Sequence, residues 1–148
     1  MRAAAVTFSV GAIFIGLSFS GCARHASPRR AAKRANEQAA RVAAVEWLQL
    51  LDNRNYSEAY DREPARLHAG GTERQFIRSM KLRRAPFGRA NSRTFIGAAA
   101  SKKLSGAPDA EYESVLFRTS FQHKQSAAER LILLREKEQW RVVDYRLY

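Results

Sequence analysis

The apolar residues of this chain change period about midway, from the 3.6-residue repeat of helices to the two-residue repeat of strands, and that change limits the fold more than any other feature. From near Arg34, residues Ala40, Ala44, Trp47, Leu48 and Leu51 form one helical stripe, with Glu46, Gln49 and Asn53 on the far side. Trp47 is the expected core anchor of this helix, which "DNRN" ends. Asn55 with Glu58 reads as the start of a second helix carrying Tyr56 and Tyr60. Pro64 allows one new turn, and Gly70-Gly71 stops it. Thr72 and Gln75 make a capping box for a third helix, "ERQFIRSMKLRR", with Phe76, Ile77 and Met80 inward and Arg74, Arg78 and Lys81 on the opposite side.

Beyond Pro86 and Gly88 the pattern becomes that of strands, expected at 92–99, 111–121, 129–136 and 139–148. Val115, Phe117, Thr119 and Phe121 share one face of the second strand, and Val143, Tyr145 and Leu147 one face of the fourth. "EKE" is short enough for a tight hairpin. Three helices followed by four strands joined by short loops predict an α+β domain, its helices packed on one face of a curved, mainly antiparallel sheet.

This domain is expected over residues 35–148, because the segments before it have other characters. Residues 1–21 carry one charge, Arg2, then an uncharged apolar stretch, which is the anatomy of a signal peptide. "FSGC" resembles a bacterial lipobox, with Phe19 standing where Leu is commoner. The resemblance implies cleavage after Gly21 and acylation of Cys22, several acyl chains giving a firm membrane anchor. Ala23, in place of an aspartate, implies sorting to the periplasmic face of the outer membrane. A plain secretory leader with an incidental cysteine, or an uncleaved span, are the alternatives. Residues 22–34 read as a tether whose Arg24, Arg29, Arg30, Lys33 and Arg34 precede the first acid, Glu37. Beside anionic headgroups each such residue contributes roughly 1 kcal/mol of attraction, and a solvated spacer is the alternative.

Several motifs of the domain resemble the bacterial domain-of-unknown-function family 4019: "WLQLLD" followed by "NYSEAY", "RRAPFG", "SGAPDAEY" before a strand holding Phe117 and Phe121, and "QWRVVDY". Tyr60 and Leu67 depart from that pattern while keeping bulk. The resemblance spans roughly residues 39–148 and implies an exported domain, similar in element order to the cone-shaped nuclear transport factor 2-like fold. It implies no catalytic residues.

The residues give little chemistry of their own. A single cysteine excludes an internal disulfide and a Cys-rich zinc site. His25, His68 and His123 show no metal-ligand spacing, and no phosphate loop, serine elbow or cofactor motif appears. Tyr112 and Trp140 read as packing aromatics. Asp144, among apolar residues of the last strand, would be a general base if it pointed into an apolar pocket; alternation instead turns it outward, towards Arg118 or Arg130. The formal charge is +12, with nine Lys or Arg and no acid between Arg74 and Pro108. Phe76, Phe87 and Phe95, interleaved with these cations, fall at core-facing positions and give no stacking platform for nucleic acid. The expected function is therefore that of a non-enzymatic interaction or small-ligand-binding module without cofactor. Arg74, Arg78 and Lys81 would meet an anionic lipid, lipopolysaccharide or acidic envelope protein, and a polar pocket inside the cone, with Asp144, is the alternative.

Overall fold

A proline at the first helical position, where its missing N–H costs nothing, starts the longest of the described elements. The computed structural model describes residues 27–68 and 70–148, so the leader, Cys22 and His25 lie outside the described residues. Helix α1 spans Pro28–Asp52 and begins earlier than the apolar stripe alone predicts, because nothing between Pro28 and Ala40 breaks a helix. Arg29, Arg30, Lys33 and Arg34 are thereby exposed residues of its first turns. Its buried residues are Ala40, Ala44, Trp47, Leu48 and Leu51, the stripe read from the sequence.

Helices α2 (Tyr56–Asp61), α3 (Ala65–His68) and α4 (Glu73–Arg84) follow. There are thus four described helices where three were expected, the addition being the single turn after Pro64. The Thr72–Gln75 capping box forms in both directions. Asn55 makes no such cap; its side chain bonds the Glu58 carboxylate instead, at 2.6 Å.

Strands β1 (Ala90–Ser101), β2 (Tyr112–Phe121), β3 (Ala127–Glu136) and β4 (Gln139–Leu147) pair antiparallel in chain order. The fold is α+β, with the helices N-terminal to a four-stranded antiparallel sheet. Helix α1 packs across the sheet, and Trp47, Leu48, Phe117, Leu131, Leu133 and Tyr145 belong to the core between them. Trp47 also donates its ring N–H to the Ala59 carbonyl at 2.9 Å, which ties α2 to α1. On the other face of the sheet Tyr112, Ile132 and Leu134 form a smaller cluster, covered by Leu104, Ala107 and Ala110.

The last strand departs from simple alternation. Leu133 pairs with Val142 and Ile132 with Asp144, which leaves Val143 as an extra residue in a β-bulge. Val142, Tyr145 and Leu147 therefore join the main core, while Val143 packs with the outer cluster. The expectation of Val143 facing the core fails for this reason, whereas those for Tyr145 and Leu147 hold.

Candidate functional site: a basic cleft over a buried ion-pair network

Among the inward residues of β2 and β3, two polar ones are fully buried and lie next to each other. Thr119 follows Val115 and Phe117 on β2, and Glu129 precedes Leu131 and Leu133 on β3; both side chains are fully buried. A buried carboxylate needs partners, since its desolvation otherwise costs several kcal/mol. Glu129 has four. Arg84 Nη1 donates to Oε1 at 3.2 Å and the Tyr145 hydroxyl donates to the same oxygen at 2.7 Å. Arg93 Nε donates to Oε2 at 2.7 Å, and the Thr119 hydroxyl donates to that oxygen as well.

Both arginines reach a second carboxylate at the end of α1. Arg84 Nη2 bonds Asp52 Oδ1, and Arg93 donates to Asp52 Oδ2 at 3.0 Å and to Oδ1 at 3.3 Å. Two arginines thus meet two carboxylates in a network without net charge. Burial works against the charge on Arg93, but the bonds to Asp52 and Glu129 and their charges outweigh it and raise its pKa. Burial, then the charge of Glu129, pushes the Tyr145 phenol above its ordinary range, so it remains a donor. A carboxylate has about four lone-pair sites, and the four donors to Glu129 use them. Glu129 therefore has no acceptor left to take a proton from a substrate. The network fixes α1, α4 and all four strands to one another.

An open cleft of about 670 Å³ lies beside the network, lined by Asp52 and Arg84 and, around them, by Arg54, Lys81, Arg89 and His123. The segment "RRAPFG" builds one wall. Arg83 Nη1 donates to the Tyr145 carbonyl at 2.8 Å, Arg84 enters the network, and Phe87 packs on Phe121 with ring centres 5.4 Å apart. Gly88, at φ +74°, lets the chain turn back so that the His123 amide bonds the Phe87 carbonyl at 3.0 Å. On the opposite side Arg54 follows the C-terminus of α1 with φ 62°, and Lys81 sets its ammonium 5.8 Å from the Tyr56 ring centre.

The residues singled out from the sequence are dispersed. Arg74, Arg78 and Lys81 are exposed together on α4, beside Ile77 and Leu82, along a shallow groove of about 510 Å³. Only Lys81 also lines the basic cleft. Asp144 lies on the outer face of the sheet and accepts from Arg146 Nε at 3.0 Å, two residues along its own strand, and not from Arg118 or Arg130. Tyr112 donates to the Pro108 carbonyl at 2.8 Å. It borders a smaller cavity of about 360 Å³ with Lys33, Glu113 and Trp140, where burial, and then the charge of Glu37, raises the pKa of Glu113. His68 stacks on Tyr60 with ring centres 4.1 Å apart and places Nε2 2.9 Å from its carbonyl oxygen. Among the described residues no group of three or more His, Cys, Asp or Glu is placed to hold a metal ion. No described helix is long and apolar enough to cross a membrane.

The network and the wall built by "RRAPFG" lie within the part of the chain that comparison with known families identifies. Residues 43–145 match the family described as protein of unknown function (DUF4019). The chain belongs to this family. No curated protein and no solved structure matches it. In the sequence of this DUF4019 domain nothing marks Glu129, Asp52, Arg84 and Arg93 as a group. The available signal was parity: Glu129 is an acid at an inward position of an otherwise apolar strand, and Arg84 continues the inward line of Met80 on α4.

Proposed function

We propose that this chain is an exported lipoprotein, held to the membrane through acylated Cys22, whose folded domain is a non-enzymatic module that applies one face of α4 to anionic lipid headgroups. The observation that carries this reading is the composition of that face. Arg74, Arg78 and Lys81 are exposed side by side, and between them stand Ile77 and Leu82, the latter 66% exposed. Cations flanking an exposed aliphatic residue suit a membrane interface, where the charge meets phosphate and the side chain enters the headgroup boundary. Ala23 after Cys22 favours the periplasmic face of the outer membrane. The closed network around Glu129 and the outward position of Asp144 favour binding over catalysis.

The test is vesicle binding by the chain from Ala23 onward, made without acyl groups. At roughly 1 kcal/mol for each cation near the surface, changing Arg74, Arg78 and Lys81 together to Glu is expected to weaken attachment to anionic vesicles by at least about 100-fold. The far-UV spectrum should stay the same. Attachment that survives the triple change, or that is equal on zwitterionic vesicles, refutes the reading; retention by an acidic protein alone would point to that partner instead.

A further inference from the structure

We infer that the cleft beside the buried network, which shares only Lys81 with the basic α4 face, is a second binding site, for a phosphate monoester group. The cations of the network are spent on Asp52 and Glu129, but Arg54, Lys81 and Arg89 are not: among the described residues none of them forms a salt bridge. Helices α1 and α4 both end at the cleft, and each C-terminus offsets about half a charge. A net positive charge of about two is left facing solvent.

Two further observations point to a ligand. Arg54 follows α1 in a Schellman turn, its amide bonding the Leu51 carbonyl at 3.1 Å and that of Asn55 the Leu50 carbonyl at 2.8 Å. Its φ of 62° is the conformation that glycine adopts without penalty and that costs another residue roughly 1–2 kcal/mol. An arginine is thus held where the backbone alone would favour glycine, and strain of this kind collects at binding sites. The second observation is that the cations come from three separate segments. Arg54 follows α1, Lys81 sits on α4, and Arg89 is on the turn before β1. A tetrahedral dianion offers acceptors to several walls at once, whereas a carboxylate presents two coplanar oxygens to one. Tyr56, also in the lining, gives an aromatic wall for the organic part of an ester.

The test is calorimetric titration of the full chain in detergent with glycerol phosphate, followed by vesicles of phosphatidylcholine with and without phosphatidic acid. Saturable binding is expected. Arg54→Gly and Arg89→Ser should each weaken it about tenfold or more, the loss of one charge-assisted contact. Arg54→Gly relieves the backbone, so its melting temperature should equal or exceed that of the parent, which separates lost binding from lost fold. Arg74→Glu with Arg78→Glu should leave the titration unchanged, and this distinguishes the cleft from the α4 face. Binding of phosphatidic acid vesicles without glycerol phosphate, still weakened by Arg54→Gly, would identify a lipid headgroup as the source of the phosphate. Binding of neither probe, or binding indifferent to both Arg54→Gly and Arg89→Ser, overturns the inference.

Discussion

Arg84 on α4 and Glu129 on β3 meet 3.2 Å apart inside the protein, although 45 positions separate them in the chain. The arginine is almost fully buried and the glutamate completely so. This pair joins the helical half of the domain to the sheet.

Removing one partner of a buried ion pair strands the other charge. Glu129→Leu is expected to cost about 3–5 kcal/mol in urea unfolding, because Arg84 and Arg93 would then share Asp52 alone. Adding Arg84→Met should restore part of that loss, since the two changes are coupled through the same bonds. A loss under about 1 kcal/mol for Glu129→Leu would show that the network does not hold the halves together.

Glu63 gives the domain a pH dependence. Burial raises its pKa from the ordinary 4.5 to about 7. Between those values the folded chain holds a proton that the unfolded chain has released, so stability falls as pH rises from 4.5 to about 7. The urea midpoint should therefore drop across this interval in the parent, and drop less in Glu63→Gln. Equal slopes for the two proteins would assign the pH dependence to other groups.

Gly88 is closely approached by its neighbours in the cleft wall. A Cβ there would sit 2.7 Å from the His123 ring and 3.0 Å from the Gln122 Cβ, on a backbone at φ +74°. Gly88→Ala is expected to cost about 2 kcal/mol and to shift the His123 imidazole resonances, because ring and loop must move apart. An unchanged melting temperature together with unchanged His123 resonances would mean that this loop yields freely.

Local patterns carried much of the fold in the sequence. The α1 stripe, the Thr72–Gln75 box and the four strands appear within about two residues of their expected places, since each depends on neighbours in the chain. The candidate site was legible only in fragments. Lys81 stood out by its charge, but Arg54 lay unremarked in "DNRN" because its position at the end of α1 becomes meaningful only through the turn it adopts. Glu129, Asp52 and Arg93 come from three separate elements, and periodicity within an element says nothing about which elements meet. Asp144 drew attention for its apolar neighbours, yet the bulge at Val143 sets its direction.

That bulge has a further consequence for Tyr145. Trp140 and Val142 point towards α1 with one parity, Tyr145 and Leu147 with the other, and the added residue makes the exchange. Had the strand run straight, the phenol would face outward and Asp144 would stand against Leu131 and the helices. Spacing here is a matter of counting: because Val143 stands outside the ladder, its deletion would still leave Ile132 opposite Asp144 and Leu131 opposite Tyr145, whereas drawing Val143 into the ladder would turn the hydroxyl away from Glu129. Within this stretch of the chain, exclusion of one residue from the ladder decides which side every later residue takes.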